Sequence, residues 1–269
     1  MAFPLFDLPP EAVELVVSFV ICKEDKAALR LVCKRSRDIV DGGVVAIKKH
    51  PVTASDLATL GTLVRAPWKL LRLEIFASSN SCIPYRLGLT DVAALAAVTS
   101  WHGLQVLRLG RNNLGGAGAA GTLAASLAAW PALQELSLLG SDIGAAGAAA
   151  LATANLPALQ DLNLSSCRFR AAGARALAAA NWPDLSKLDL SHNYLCDEGA
   201  VALASAAWPR LRELTVSWNA IEDGGAAALA EAAWPLKFLD FRGNLGAAQG
   251  VVALRAALPG VNILSGLVT

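Results

Sequence analysis

Three histidines, five cysteines and a scatter of carboxylates are the groups in this 269-residue chain that could ligate a metal, attack an electrophile or move a proton. His50, His102 and His192 stand too far apart to gather around one ion, and Cys22, Cys33, Cys82, Cys167 and Cys196 contain no Cys-x-x-Cys pair. No glycine group runs into the Lys-Ser or Lys-Thr of a phosphate loop. An enzyme needs an acid, a base or a nucleophile brought together, and the chain offers no such cluster. The expectation is no catalysis, no metal and no cofactor. A different set is spaced for recognition: Asp189, Thr215 and Asp240 follow one another at 26 and 25 residues, and His192 and Trp218 at 26, with Arg242 beside them. An aromatic among polar groups, with an arginine at hand, is the composition that dominates protein interfaces. These six are the expected partner-binding residues.

Such spacing requires a repeating element to hold it. The pattern Leu-x-x-Leu-x-Leu recurs from Leu104, Leu133, Leu159 and Leu185, and continues with substitutions from Leu211 and Leu236. Three residues after each last apolar position stand Asn112, Ser141, Cys167, Asn193, Asn219 and Asn244. Six further on there is always a glycine, from Gly118 to Gly250, then an alanine-rich run, then a closing Trp-Pro or Leu-Pro. Upstream the pattern loosens. Leu70 to Ile75 predicts another strand and Thr90 to Ser100 its helix, while Val44 to Ile47 predicts a first strand followed by a helix near Ala54 to Leu63. Val261 to Leu264 predicts a last strand without a helix.

Each column has a physical cause. The leucines make a short strand that points its apolar side chains into a stack. A small polar side chain in the asparagine slot can bond the backbone of the turn, which neither helix nor sheet would satisfy. Cys167 occupies that slot, so it reads as structural. Alanine favours helix, and proline stops it. The unit is therefore a strand–turn–helix coil, stacked with a parallel sheet inside and helices outside.

Residues between the leucines face the other side of the sheet. Read across coils, one outward column is Glu74, Arg108, Ser137, Asn163, Asp189, Thr215 and Asp240; two residues earlier run Arg72, Val106, Glu135, Asp161, Lys187, Glu213 and Phe238. Just before the asparagine slot come Arg111, Gly140, Ser166, His192, Trp218 and Gly243. Most tryptophans (Trp101, Trp130, Trp182, Trp208, Trp234) fill the closing slot, with Trp68 near it, and read as packing residues. Trp218 stands outside that slot and is expected to be exposed.

This pattern resembles the leucine-rich repeat family, and Leu188-Asp-Leu-Ser-His-Asn193-Tyr-Leu195 followed by Gly199-Ala-Val-Ala-Leu203 is most similar to its ribonuclease-inhibitor-like subclass. The resemblance implies an α/β solenoid bent into a horseshoe arc, with parallel strands on the concave side and helices on the convex side. It covers Leu104 to about Leu264 closely. Two departures are the 25- or 26-residue length of most repeats and the lack of two alternating repeat types.

Residues 1–42 carry no such repeat and form a separate expected segment, with the solenoid assigned to 43–269. Pro9 and Pro10 open a helical pattern at Val13, Val16, Val17 and Val20, and a second pattern follows at Leu29, Val32, Cys33 and Ser36. The opening Leu8-Pro9-Pro10-Glu11 and the close Leu31-Val32-Cys33-Lys34 together resemble the F-box motif. That resemblance implies a small helical module that docks on a Skp-type adaptor and, through it, a cullin ubiquitin ligase. Carried over, Leu8, Pro9, Val16, Val32, Cys33 and Lys34 would lie at or near the adaptor contact. Ser36 stands where the family often has tryptophan. The alternative is that these helices only cap the solenoid, leaving a plain repeat scaffold or inhibitor.

Composition limits the partners. Net charge is +1, which gives no electrostatic support for nucleic acid. The longest uncharged run, Asn112 to Gln134, is broken by glycines and Pro131 and predicts no membrane span. The start lacks the basic region of a signal peptide, and the cysteines are odd in number, so an intracellular, reduced protein is expected. A protein partner on the concave face is the reading that remains.

Overall fold

The computed structural model describes residues 16–19, 31–33, 46–48, 72–74, 93, 103–112, 114–115, 119–245 and 248–266. From residue 103 onward the chain winds as stacked coils, each supplying one three-residue strand and, except after the last strand, one helix. The strands are β4 (Arg72–Glu74), β5 (Val106–Arg108), β6 (Glu135–Ser137), β7 (Asp161–Asn163), β8 (Lys187–Asp189), β9 (Glu213–Thr215), β10 (Phe238–Asp240) and β11 (Asn262–Leu264). They form a single eight-stranded sheet in chain order, parallel throughout. The helices are α1 (Ala119–Leu127), α2 (Gly144–Thr153), α3 (Arg170–Ala178), α4 (Cys196–Ala204), α5 (Asp223–Glu231) and α6 (Ala248–Ala257), each packed on the next.

The repeat register is the sheet register. Leu73, Leu107, Leu136, Leu162, Leu188, Leu214 and Leu239 pair across the ladder in one line. The first leucines Leu104, Leu133, Leu159, Leu185 and Leu211 have no exposed surface, and Leu236 in the last such repeat is partly buried against the same core. Full burial of such a side chain is worth about 1.5–3 kcal/mol, so the leucine columns are the main cohesive force between coils.

The helices are short because they must fit between strand and proline. A Cβ on Gly173 would come within 2.6 Å of Phe169 Cβ, and one on Gly225 within 2.6 Å of Ile221. Glycine is thus required where the first helical turn closes over the residue that ends the loop. The next residue in each case (Ala148, Ala174, Ala200, Ala226) is fully buried between neighbouring helices. The closing tryptophans form a buried row on the opposite side: Trp182 stacks on Trp208 at 6.3 Å between ring centroids, and Trp208 on Trp234 at 5.7 Å. Trp130 is buried as well. Trp68 and Trp101 lie outside the described residues.

Three further strands, β1 (Val16–Phe19), β2 (Leu31–Cys33) and β3 (Ala46–Lys48), form a separate sheet in the order β2-β1-β3. Here the backbone departs from the helical periodicity of the first 42 residues. Val16–Phe19 and Leu31–Cys33 are extended and pair antiparallel, Val17 opposite Cys33. Their β-branched valines favour a strand as readily as a helix, and short apolar runs do not separate the two. The expected strand at Val44 to Ile47 exists as β3, but it pairs with β1 across the expected boundary at residue 42 and not with β4. β3 lies alongside β4 without joining its ladder. The strand expected at Leu70 to Ile75 is β4, and Ala93 in the expected Thr90–Ser100 helix is helical. The expected helix near residues 54–63 lies outside the described residues.

No described helix is long and apolar enough to cross a membrane. Within the uncharged run from Asn112 to Gln134, α1 covers nine residues.

Candidate protein-binding face

The turn that leaves each strand is built by the asparagine slot. Asn193 is fully buried; its Nδ2 donates to the Leu164, Leu190 and Ser191 carbonyls at 2.9, 2.9 and 3.1 Å. Its Oδ1 accepts from the Cys167 and Phe169 backbone N–H groups at 2.9 and 3.4 Å. Asn219 repeats the arrangement one coil on, donating to Leu190, Val216 and Ser217 and accepting from Asn193 N at 2.8 Å. Asn244 accepts in turn from Asn219 N at 2.9 Å. Each asparagine therefore closes its own turn and ties it to the preceding coil. Ser141 and Cys167 do less: Ser141 Oγ donates to the Leu109 carbonyl at 3.0 Å, and Cys167 Sγ to that of Leu138 at 3.1 Å. Burial pushes the Cys167 thiol up to about 11. A thiol so protonated at neutral pH is a poor nucleophile, in keeping with a structural residue.

The residue before the slot is held in left-handed conformation along the whole stack: Arg111, Gly140, Ser166, His192, Trp218 and Gly243 have φ between 56 and 67°. This turns their side chains out at the rim of the sheet. His192 and Trp218 stack there, 5.6 Å between ring centroids and 7° between planes. The other face of the indole covers Gly243, where a Cβ would fall 2.5 Å from Trp218 Cδ2. Trp218 remains 44% exposed. It is an aromatic ledge fixed on both sides.

The remaining expected binding residues are placed in register but are not equally free. Asp189, Thr215 and Asp240 pair along the ladder and are neighbours on the concave face. Asp189 Oδ1 accepts from Ser191 N and Oγ at 2.9 and 2.7 Å, and its Oδ2 accepts from Asn163 Nδ2 at 3.3 Å. Asp240 is buried, and Arg242 grips it through Nε and Nη2 at 2.9 and 2.7 Å. Burial pushes the Asp240 carboxyl up, but the hydrogen bonds and charge of Arg242 outweigh it and hold it below the usual range. Asp240 is thus a support for Arg242, whose exposed guanidinium is what a partner can reach. Thr215 is half-buried between them.

The adjoining column carries charge of both signs, and one of its members pairs with Arg108 of the first column. Arg108 pairs with Glu135, and Lys187 with Glu213 at 3.0 Å. Asp161 lies between Glu135 and Lys187 in the ladder. Its carboxyl is raised first by burial and then by the charge of Glu135. This ionic stripe was visible as a column in the sequence, but its pairing was not, because only the coil-to-coil register brings residues 26 or 27 apart into contact. Of the expected adaptor-contact residues, Leu8, Pro9 and Lys34 lie outside the described residues; Val16 is in β1, and Val32 and Cys33 are in β2.

A sheet of parallel single-turn coils with a polar, aromatic-rimmed concave face is a repeat solenoid of the protein-binding class. The leucine-rich repeat family matches residues 155–178, 183–204 and 210–230, and the F-box domain matches residues 5–44. The chain is a leucine-rich-repeat protein with an F-box domain at its N-terminus. Among solved structures, it resembles the crystal structure of the Rad7 and Elc1 complex in yeast with 15% identity and a TM-score of 0.53, over 82% of this chain and 67% of that one. It also matches the TLR13–ssRNA13 complex with 16% identity and a TM-score of 0.46, over 83% of this chain and 28% of that one. No curated protein matches significantly.

Proposed function

We propose that this protein is a substrate receptor of a Skp–cullin–F-box ubiquitin ligase. Both matched families are protein-interaction modules, and together they make an interaction adaptor. In the finer reading the F-box residues 5–44 recruit a Skp-type adaptor and its cullin, while the concave sheet presents the protein to be ubiquitinated. The observation that carries this is the coexistence, on one chain, of the F-box match and a rim where Trp218 is stacked, exposed and flanked by Arg242. The chain itself performs no chemistry in this reading; it sets the distance between ligase and target. Affinity purification from the native cell should retain a Skp-type adaptor and a cullin, and purified adaptor should bind the chain directly. If neither is retained and the purified mixture stays unbound, the reading fails.

A plain scaffold whose residues 1–42 only cap the solenoid is the competing reading, favoured by β1, which pairs with β3, the strand that lies alongside β4 at the edge of the sheet. It requires that deleting residues 1–41 lowers the solenoid's melting temperature, because an uncapped coil exposes its core.

A further inference from the structure

The strand-to-helix turns of the later coils enclose a second surface, distinct from the concave face. A groove of about 790 Å³ runs along them, bounded by Arg170, Tyr194, Asp197, Glu198, Glu222 and Leu245. Tyr194 and Leu245 are 66% and 62% exposed, the two largest apolar exposures on these turns. Around them stand three carboxylates against one guanidinium, a local excess of two negative charges on a chain whose net charge is +1. Among the described residues neither Glu198 nor Glu222 has an ion-pair partner. The Asp197 carboxylate is used between coils, where Oδ1 accepts from Glu222 N at 2.6 Å.

The groove floor is held in place before any partner arrives. Arg170, Tyr194, Cys196 and Ala220 all take left-handed φ of 53 to 56°, uncommon for residues with a Cβ. Coil-to-coil bonds hold two of them there: Arg170 N donates to the Asn193 carbonyl and Cys196 N to that of Asn219, both at 2.9 Å. A surface already ordered loses little entropy on binding. Its apolar centre and acidic rim complement one chemistry, and they disfavour the phosphates of nucleic acid or an anionic membrane.

We infer that this groove docks a basic, apolar-anchored peptide segment of a partner protein, with Lys or Arg side chains at Glu198 and Glu222 and an apolar side chain between Tyr194 and Leu245. It is a second recognition surface beside the concave face, and it stands whether or not the F-box recruits a ligase.

The test uses the full chain and two fluorescein-labelled eight-residue peptides, one alternating lysine with leucine and one alternating glutamate with leucine. Anisotropy should show binding of the lysine peptide only, weakening as salt rises. The double variant E198K/E222K and the single variant Tyr194→Ala should each lower affinity by about tenfold or more, as loss of complementary charge or an aromatic anchor does. Trp218→Ala should leave it unchanged. All these side chains are exposed, so melting temperatures should match the parent; E198Q/E222Q serves as the milder pair if charge reversal disturbs the fold. Equal binding of the glutamate peptide, no binding of the lysine peptide, or affinity that ignores the groove variants while falling with Trp218→Ala would each overturn the inference. Capture of a Skp-type adaptor reads the ligase proposal separately, so either can fail without the other.

Discussion

Gly243 lies directly beneath the indole of Trp218, so close that a methyl group on its Cα would penetrate the ring at 2.5 Å. The same glycine has φ +67°, a region costing an L-residue roughly 1–2 kcal/mol. His192 and Trp218 take nearly the same φ in their own coils, so it is the contact with the indole that leaves room for glycine alone. Gly243→Ala should destabilise the protein by about 1–2 kcal/mol through the backbone alone, and it should also displace the indole from His192. Urea unfolding gives the first quantity, and a shift in tryptophan emission reports the second. A variant of unchanged stability and emission would mean that the ledge is not held from below.

Trp218→Ala addresses the ledge itself. The side chain is 44% exposed and lies on the rim, so its removal should change stability little while weakening capture of the protein partner proposed for the concave face. Leu188→Ala is the contrast. Leu188 is 2% exposed in the central leucine column, and such a truncation costs about 2–5 kcal/mol. If the two variants lose equal stability, Trp218 belongs to the core and not to an interface.

Asn193→Leu should be among the most damaging single substitutions in the solenoid. Leucine fills the volume but leaves the Cys167 and Phe169 N–H groups and the Leu164 and Ser191 carbonyls without this partner. A buried polar group left unsatisfied costs about 1–3 kcal/mol, so a loss of about 3 kcal/mol is expected for the set, read by urea unfolding. Cys167→Ala, in the same slot one coil earlier, should cost less, because its thiol is a weak donor.

The repeat made most of this arrangement readable in advance. Leu188, Leu214 and Leu239 pair in the sheet as their spacing demanded, and Asn193 bonds the turn as its slot implied. Trp218 and its register with His192 were equally apparent from residues 26 apart. What spacing could not convey was which side chains partner one another, within a coil or between coils. Asp240 looked like a free carboxylate in an outward column, yet Arg242 two residues on folds back and covers it. Nor could it show Gly243 as the floor under Trp218, since glycine there read only as a column member. The N-terminal valines misled for another reason: Val16 and Val17 satisfy a helical period, but a four-residue run satisfies a strand as well.

Two carboxylates on the concave face should respond to pH with opposite signs. The Asp240 carboxyl is held below its ordinary 3.8 in the folded chain. It contributes stability that is present above 3.8 and is lost as pH falls through the lower folded value, so Asp240→Asn should lose stability at pH 7 and lose none once both states are protonated. The Asp161 carboxyl is raised above 3.8, by burial first and by Glu135 second. Ionising it in the folded state is unfavourable; that penalty is absent below 3.8 and grows as pH rises through the folded value. Asp161→Asn should therefore stabilise the chain at pH 7 and leave it unchanged near pH 3. Urea titrations of both variants at the two pH values check the signs. The outcome that counts against the concave-face electrostatics is the same sign for both at pH 7, because either Arg242 would then not outweigh burial at Asp240, or burial and Glu135 would not be acting on Asp161.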